Sequence, residues 1–406
     1  MKINKYLPFV LLYFFFNSVF LPIGLMYTTL LTPLFYLWLN VNGQRFVILK
    51  FLLPLVPFVL IHFVNGVDAL IYGKSAALFF TAYIFVYALV VLLKKVDYVE
   101  DWFIKITKLN AVLTVVAIIL FFTPYIRTLW TVQNLTMGVS NFPRLSLLTY
   151  EPSYYSTLLV PLIAYFALDA IQFKRRSSLN YLVLLLVSLV LSFSIGVIAC
   201  LVVSLFLVAV VNNRALSINR NYVRPLLFSL CLGLLASGVW VALNPDNALV
   251  VRVNNVLDGK DGSGKGRTSE AFYLAQKIAD EKSTLWGAGL GQIKVLGEFI
   301  IRPYYRYVKA DVPVTTIPNS SAETLAIFGM LGFWGRILVQ VYLFFKTRVW
   351  TSSFRTMVFF YIFLYQFTGS FIVNIAEYVI WVFAFVPVFY QFEKRRHDLV
   401  LEEKIT

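Results

Sequence analysis

The chain has 406 residues, of which 60% are hydrophobic and 17% aromatic, and its mean hydropathy is +0.78. These values exclude a soluble enzyme, because apolar runs long enough to cross ~30 Å of hydrocarbon recur throughout. The net charge of +15 does not point to nucleic acid, since the basic residues gather in short loops between apolar stretches, where they orient spans in a membrane.

Taken in chain order, the apolar stretches predict about twelve transmembrane helices, near 6–21, 22–39, 46–64, 69–93, 104–123, 153–171, 179–194, 195–211, 225–243, 321–345, 355–371 and 374–391. Met1 to Lys5 and the run after it resemble a signal peptide without a small-residue cleavage site, so they are read as an uncleaved first helix. The first two stretches share a hairpin around Leu21-Pro22, or else form one broken helix. Ser194-Ile195-Gly196 divides an apolar run too long for one crossing.

Loops must alternate sides, and the Lys/Arg-rich ones belong on the cytoplasmic side. Lys2/Lys5, Arg45/Lys50, Lys94/Lys95, Lys174-Arg175-Arg176, Arg214/Arg220/Arg224, Lys346/Arg348/Arg355 and Lys394-Arg395-Arg396 all fall there. Two long segments are left on the outer side, 124–151 and 244–320, and loops of such length are functional or disordered. The expected fold is therefore an all-α polytopic membrane protein, residues 1–406 forming a single integral membrane domain.

Cys200 and Cys231 lie inside apolar spans and read as small buried hydrophobes, whereas His62 lies within a span and His397 in the basic tail. No His/Cys/carboxylate cluster has zinc spacing, so neither a metal nor another cofactor is expected. Asp258 to Arg267 has the glycine spacing of a phosphate-binding loop, but Gly266 stands where a magnesium-binding hydroxyl is needed and no strand precedes it. It is read as a flexible loop able to close over a substrate.

Thr268-Ser269 then supplies capping hydroxyls for an amphipathic helix with Ala271, Phe272, Leu274, Ala275, Ile278 and Ala279 on one face and Lys277, Asp280, Glu281 and Lys282 on the other. It is expected along the outer membrane boundary, with Arg267 at its N-terminus, where the dipole favours an anion. In the other outer loop Arg144 precedes Glu151-Pro152-Ser153-Tyr154-Tyr155. Pro152 suits a first helical turn, so Glu151 is either a helix cap or a membrane-edge carboxylate that orients or deprotonates a hydroxyl. Arg302-Pro303-Tyr304-Tyr305-Arg306-Tyr307 reads as an interfacial aromatic belt or as a place where sugar rings stack. Asn319 and Glu323, four apart, share a helix face near the outer surface.

Together these residues resemble the polytopic O-antigen polymerase and ligase superfamily. Arg144 through Tyr155 is similar to the family's arginine followed by Glu-Pro-Ser-aromatic. Gly266-Arg267 leads through the amphipathic helix to Gly287-Ala288-Gly289-Leu290-Gly291. Asn319, Glu323, Gly329 and Gly332 keep step with the signature His-Asn-x-x-x-Glu-x-x-x-x-x-Gly-x-x-Gly. Two positions depart: Pro318 replaces the histidine on which ligases rely, and Ile195 replaces an arginine often found after the mid-chain serine.

The resemblance implies a GT-C-like glycosyltransferase of the bacterial inner membrane that joins undecaprenyl-diphosphate-linked repeat units on the periplasmic side, inverting and metal-independent. Arginines would receive the charge of the departing diphosphate. Glu151, Arg267 and Glu323 are the expected catalytic residues, with Arg127, Arg144, Tyr154, Arg302, Arg306 and Asn319 binding substrate. Partners would be the lipid-linked oligosaccharide, membrane lipids and a chain-length regulator protein, with no nucleic acid. The alternatives are a ligase moving polymer to lipid A-core and a lipid-linked oligosaccharide flippase or other transporter.

Overall fold

The computed structural model describes residues 6–19, 21, 25–133, 141–211, 266–305 and 317–393. The predicted span at 225–243, the glycine-rich loop up to Lys265, and Arg306 lie outside these residues. The described chain is mainly helical: α1 (Leu7–Phe15), α2 (Tyr27–Leu30), α3 (Thr32–Val41), α4 (Val47–Val64), α5 (Ala69–Leu93), α6 (Val99–Phe121), α7 (Pro152–Phe173), α8 (Arg176–Ser192), α9 (Ile195–Val211), α10 (Ser269–Asp280), α11 (Ile293–Tyr304), α12 (Ser320–Lys346), α13 (Ser353–Tyr365) and α14 (Ile375–Phe385). Five of these, α4, α5, α6, α7 and α12, are long and apolar enough to cross a membrane, and α8, α9, α13 and α14 are shorter apolar helices.

Neither of the first two predicted spans forms one long helix. The α1 helix has only 9 residues, about 14 Å at 1.5 Å per residue, and Asn17 then accepts from Tyr27 N–H at 2.7 Å through its carbonyl. Leu31 separates α2 from α3. An unbroken helix there would need an N–H from Pro33 to reach the Thr29 carbonyl, and proline has none.

The chain divides into two compact units, the first comprising residues 1–102, 266–349 and 358–388 and the second 103–265, 350–357 and 389–406. In the second unit α7 is almost wholly buried. Tyr155 donates its hydroxyl to Asn110 at 2.7 Å, and Asn110 donates in turn to Ser188 at 2.9 Å, tying α6, α7 and α8 through satisfied polar groups. The 124–151 segment contributes an antiparallel hairpin, β1 (Trp130–Gln133) with β2 (Phe142–Leu145), in which Thr131 faces Arg144.

The first unit is organised around a break in α12. Gly329 adopts φ 65 and ψ −164, so α12 is two helical arms rather than one rod. Ser320 to Gly329 are all buried, whereas Trp334, Leu338, Tyr342 and Phe345 in the second arm are 57–66% exposed. The first arm therefore packs inside protein. The second exposes large apolar side chains, as a span in contact with lipid would.

A break inside a helix frees backbone groups that must find partners where water is excluded. Here the segment after α10 supplies partners for four of them. Ala288 and Gly289 donate to the carbonyls of Ala326 and Ile327 at 2.9 Å each, and Met330 and Leu331 donate to Thr284 and Leu285 at 3.0 and 3.1 Å. Backbones come this close only without side chains. A Cβ on Gly287 would lie 2.4 Å from Gly329 N, and one on Gly329 would lie 2.4 Å from Leu285 O.

The face of α10 formed by Ala271, Leu274, Ala275 and Ile278 is buried in the same core as Ala322, Leu325, Ala326 and Phe328. The expected apolar face is therefore present, and the first arm of α12 covers it.

Candidate functional site

Asn319 begins the first arm of α12. Its Oδ1 accepts from Ala322 N–H at 2.8 Å, and its Nδ2 donates to the carbonyls of Arg267 and Phe367 at 2.7 Å each. One amide thus caps α12 and fastens the start of α10 to it. Residues 52 positions apart meet there. Arg267 is partly buried at the entry to α10, and Glu323, one turn into the arm and 6% exposed, accepts from Ile372 N–H at 2.6 Å. The first unit therefore gathers Arg267, Asn319 and Glu323 at one place. The first backbone N–H groups of the arm are engaged by protein, Ser320 donating to Gly369 and Ser321 to Gln366 at 3.1 Å each.

Behind this cluster lies a charged pair that the sequence reading passed over. Arg336, in the second arm, forms an ion pair with Glu377 of α14, and their side chains are 14% and 1% exposed. The available signal was general: an ionisable residue within an apolar span needs a partner and a reason.

Arg302 lies elsewhere in the first unit, on α11, bonded at 2.5 Å to Glu298 on the same helix. That bond raises the guanidinium pKa above its ordinary value. The neighbouring aromatics fold back on α10: Tyr305 donates to Glu270 at 3.0 Å, and the rings of Tyr273 and Tyr304 are 5.7 Å apart.

In the second unit Arg144 is buried and spans the break between α8 and α9. Its Nε donates to the Ser192 carbonyl at 3.0 Å and its Nη2 to Ser194 Oγ at 3.2 Å, a cation at the carbonyl end of α8. Ser194 Oγ donates on to the Pro152 carbonyl at 3.3 Å, linking the hairpin arginine to the start of α7. Glu151 is the residue preceding α7, extended at φ −150, with Pro152 at the first turn as expected. Its carboxylate accepts from Ser153 Oγ, and Tyr154 packs on Tyr150 with ring centroids 4.8 Å apart. Arg127 stands exposed in a single 3₁₀ turn, Ile126–Thr128. Arg144, Glu151 and Tyr154 thus form a second group around the start of α7.

Compared with known proteins, the chain matches no family model, no curated protein and no solved structure.

Proposed function

We propose that this protein is an O-antigen polymerase, a glycosyltransferase that joins undecaprenyl-diphosphate-linked repeat units at the periplasmic face of a bacterial inner membrane. With this reading go a GT-C-like body of about twelve spans and periplasmic exposure of residues 124–151 and 244–320. The observation that carries it is the Asn319 amide bond to the Arg267 carbonyl at 2.7 Å, which fastens the main chain of Arg267 to the start of the arm that carries the buried carboxylate Glu323.

In the proposed reaction a hydroxyl oxygen of the acceptor sugar attacks the anomeric carbon of the donor from the face opposite the diphosphate. The bond between that carbon and the diphosphate oxygen breaks, and the electron pair leaves with undecaprenyl diphosphate. Arg267 receives the developing charge through a planar, permanently protonated fork. The hydroxyl proton passes to Glu323 acting as general base.

A transporter of lipid-linked oligosaccharide is the second reading, favoured by the broken α12 and by a charged pair within apolar helices, features that transporters place around substrates. Against it, backbone of residues 284–289 fills the break itself. Incubating purified protein with lipid-linked repeat units, with and without lipid A-core, separates the readings. Long glycans on the same lipid support the polymerase, transfer to core replaces it with a ligase, and no covalent change leaves the transporter.

A further inference from the structure

Arg336 lies sixteen residues after Ser320, a separation of ~24 Å along an unbroken helix and far beyond an arginine's reach. The two meet because Gly329 folds the arms toward each other. The guanidinium has five N–H donors in a fixed fork, and the protein engages them all. Nε donates to Gln366 Oε1 at 2.9 Å, Nη1 to Thr324 Oγ1 at 3.0 Å and to the Ser320 carbonyl at 3.4 Å, and Nη2 to Ser320 Oγ at 3.1 Å and to Glu377 Oε1. Gln366 is held by a reciprocal amide pair with Gln340, both bonds 2.9 Å, and Glu377 Oε1 also accepts from Trp381 Nε1 at 3.3 Å.

A fork so fully used has no donor left for a ligand. What it holds is the first turn of the arm: Ser320 follows Asn319 directly, and Thr324 follows Glu323. We propose that Arg336, with Glu377 as counter-ion, is a positioning residue that fixes the arm presenting Asn319 and Glu323 beside Arg267. Its effect on turnover rests on the glycosyl-transfer reading, whereas the tether itself does not.

The test compares wild type with R336M/E377M and R336K, following amide exchange over 319–324, thermal midpoint, and the kcat and acceptor KM of repeat-unit polymerisation. Removing both charges together avoids leaving one buried and unpaired, so the double variant should fold and melt near wild type. Exchange at Ser320 and Ser321 should rise at least about tenfold, and kcat should fall on the order of 10²-fold with KM within about twofold, as expected for misplaced reacting groups. R336K keeps the charge but offers only three donors and should move the same way, and it carries the same readouts if the double variant fails to insert. A merely structural pair would leave the stable double variant with wild-type turnover, and that result, or unchanged exchange, overturns the proposal. If wild type makes no polymer, the functional reading fails, and the exchange data alone decide whether the tether exists.

Discussion

Gly329→Ala should be among the most damaging single-atom changes in the first unit. The backbone at φ 65, ψ −164 lies in a region essentially restricted to glycine, which costs a residue with a side chain about 1–3 kcal/mol. The new methyl would sit 2.4 Å from Leu285 O and 2.5 Å from Gly287 N. Both are main-chain atoms that cannot swing aside, so overpacking adds about 1–3 kcal/mol. Relieving the clash means moving the 284–289 segment, and each bond it makes to the break is worth about 0.5–1.5 kcal/mol. Strain and overpacking alone total roughly 2–6 kcal/mol before any of those bonds is lost, against the ~5–15 kcal/mol that holds a typical domain together. Equilibrium unfolding in mixed micelles measures it, with Gly335→Ala as the control. No atom lies within 4 Å of that Cβ, and alanine there should be neutral or stabilising by up to ~1 kcal/mol. A Gly329→Ala loss below about 1 kcal/mol, or equal damage from both variants, would refute the interlocked-glycine argument.

Arg267→Ala should abolish polymer while leaving insertion intact, and Arg267→Lys should recover little, because a point charge does not reproduce the planar fork; glycan length in a polymer-deficient host reads this directly. Glu323→Gln keeps a carbonyl for the Ile372 N–H and so should fold. If Glu323 is the base its turnover falls by about 10²–10⁴-fold, and if Glu151 is, the loss moves to Glu151→Gln. Full-length glycan from both would remove carboxylate base catalysis. Ser263→Cys, outside the described residues, should react with an impermeant thiol reagent from the periplasmic side, and labelling only after permeabilisation would invert the topology.

Local chemistry was readable from the sequence where a single residue dictates it. Pro152 at a first turn with Glu151 before it and the apolar face of α10 follow from capping and periodicity, and both are present, whereas Asn319, expected on a helix face with Glu323, is instead the cap that precedes α12. What stayed hidden depended on pairing across long separations. Hydropathy over 321–345 averages both arms of α12 and is blind to a dihedral, so Gly329, though in step with the family signature, lay inside one unbroken predicted span. Its meaning emerges only with Gly287 beside it. Similarly, the pairing of Arg336 with Glu377 joins residues 41 positions apart, a separation that local periodicity does not report. The hairpin at 130–145 escaped because two strands of 4 residues carry too little alternation to announce themselves.

The central claim is glycosyl transfer with a lipid diphosphate as leaving group, and the most direct measurement follows both products of that step in purified, reconstituted protein. Phosphorus NMR counts undecaprenyl diphosphate released while mass spectrometry counts glycosidic bonds formed. One diphosphate per new bond in wild type, and neither product in Arg267→Ala, is the result expected. Bonds formed without diphosphate release, or undiminished release from Arg267→Ala, would contradict the account.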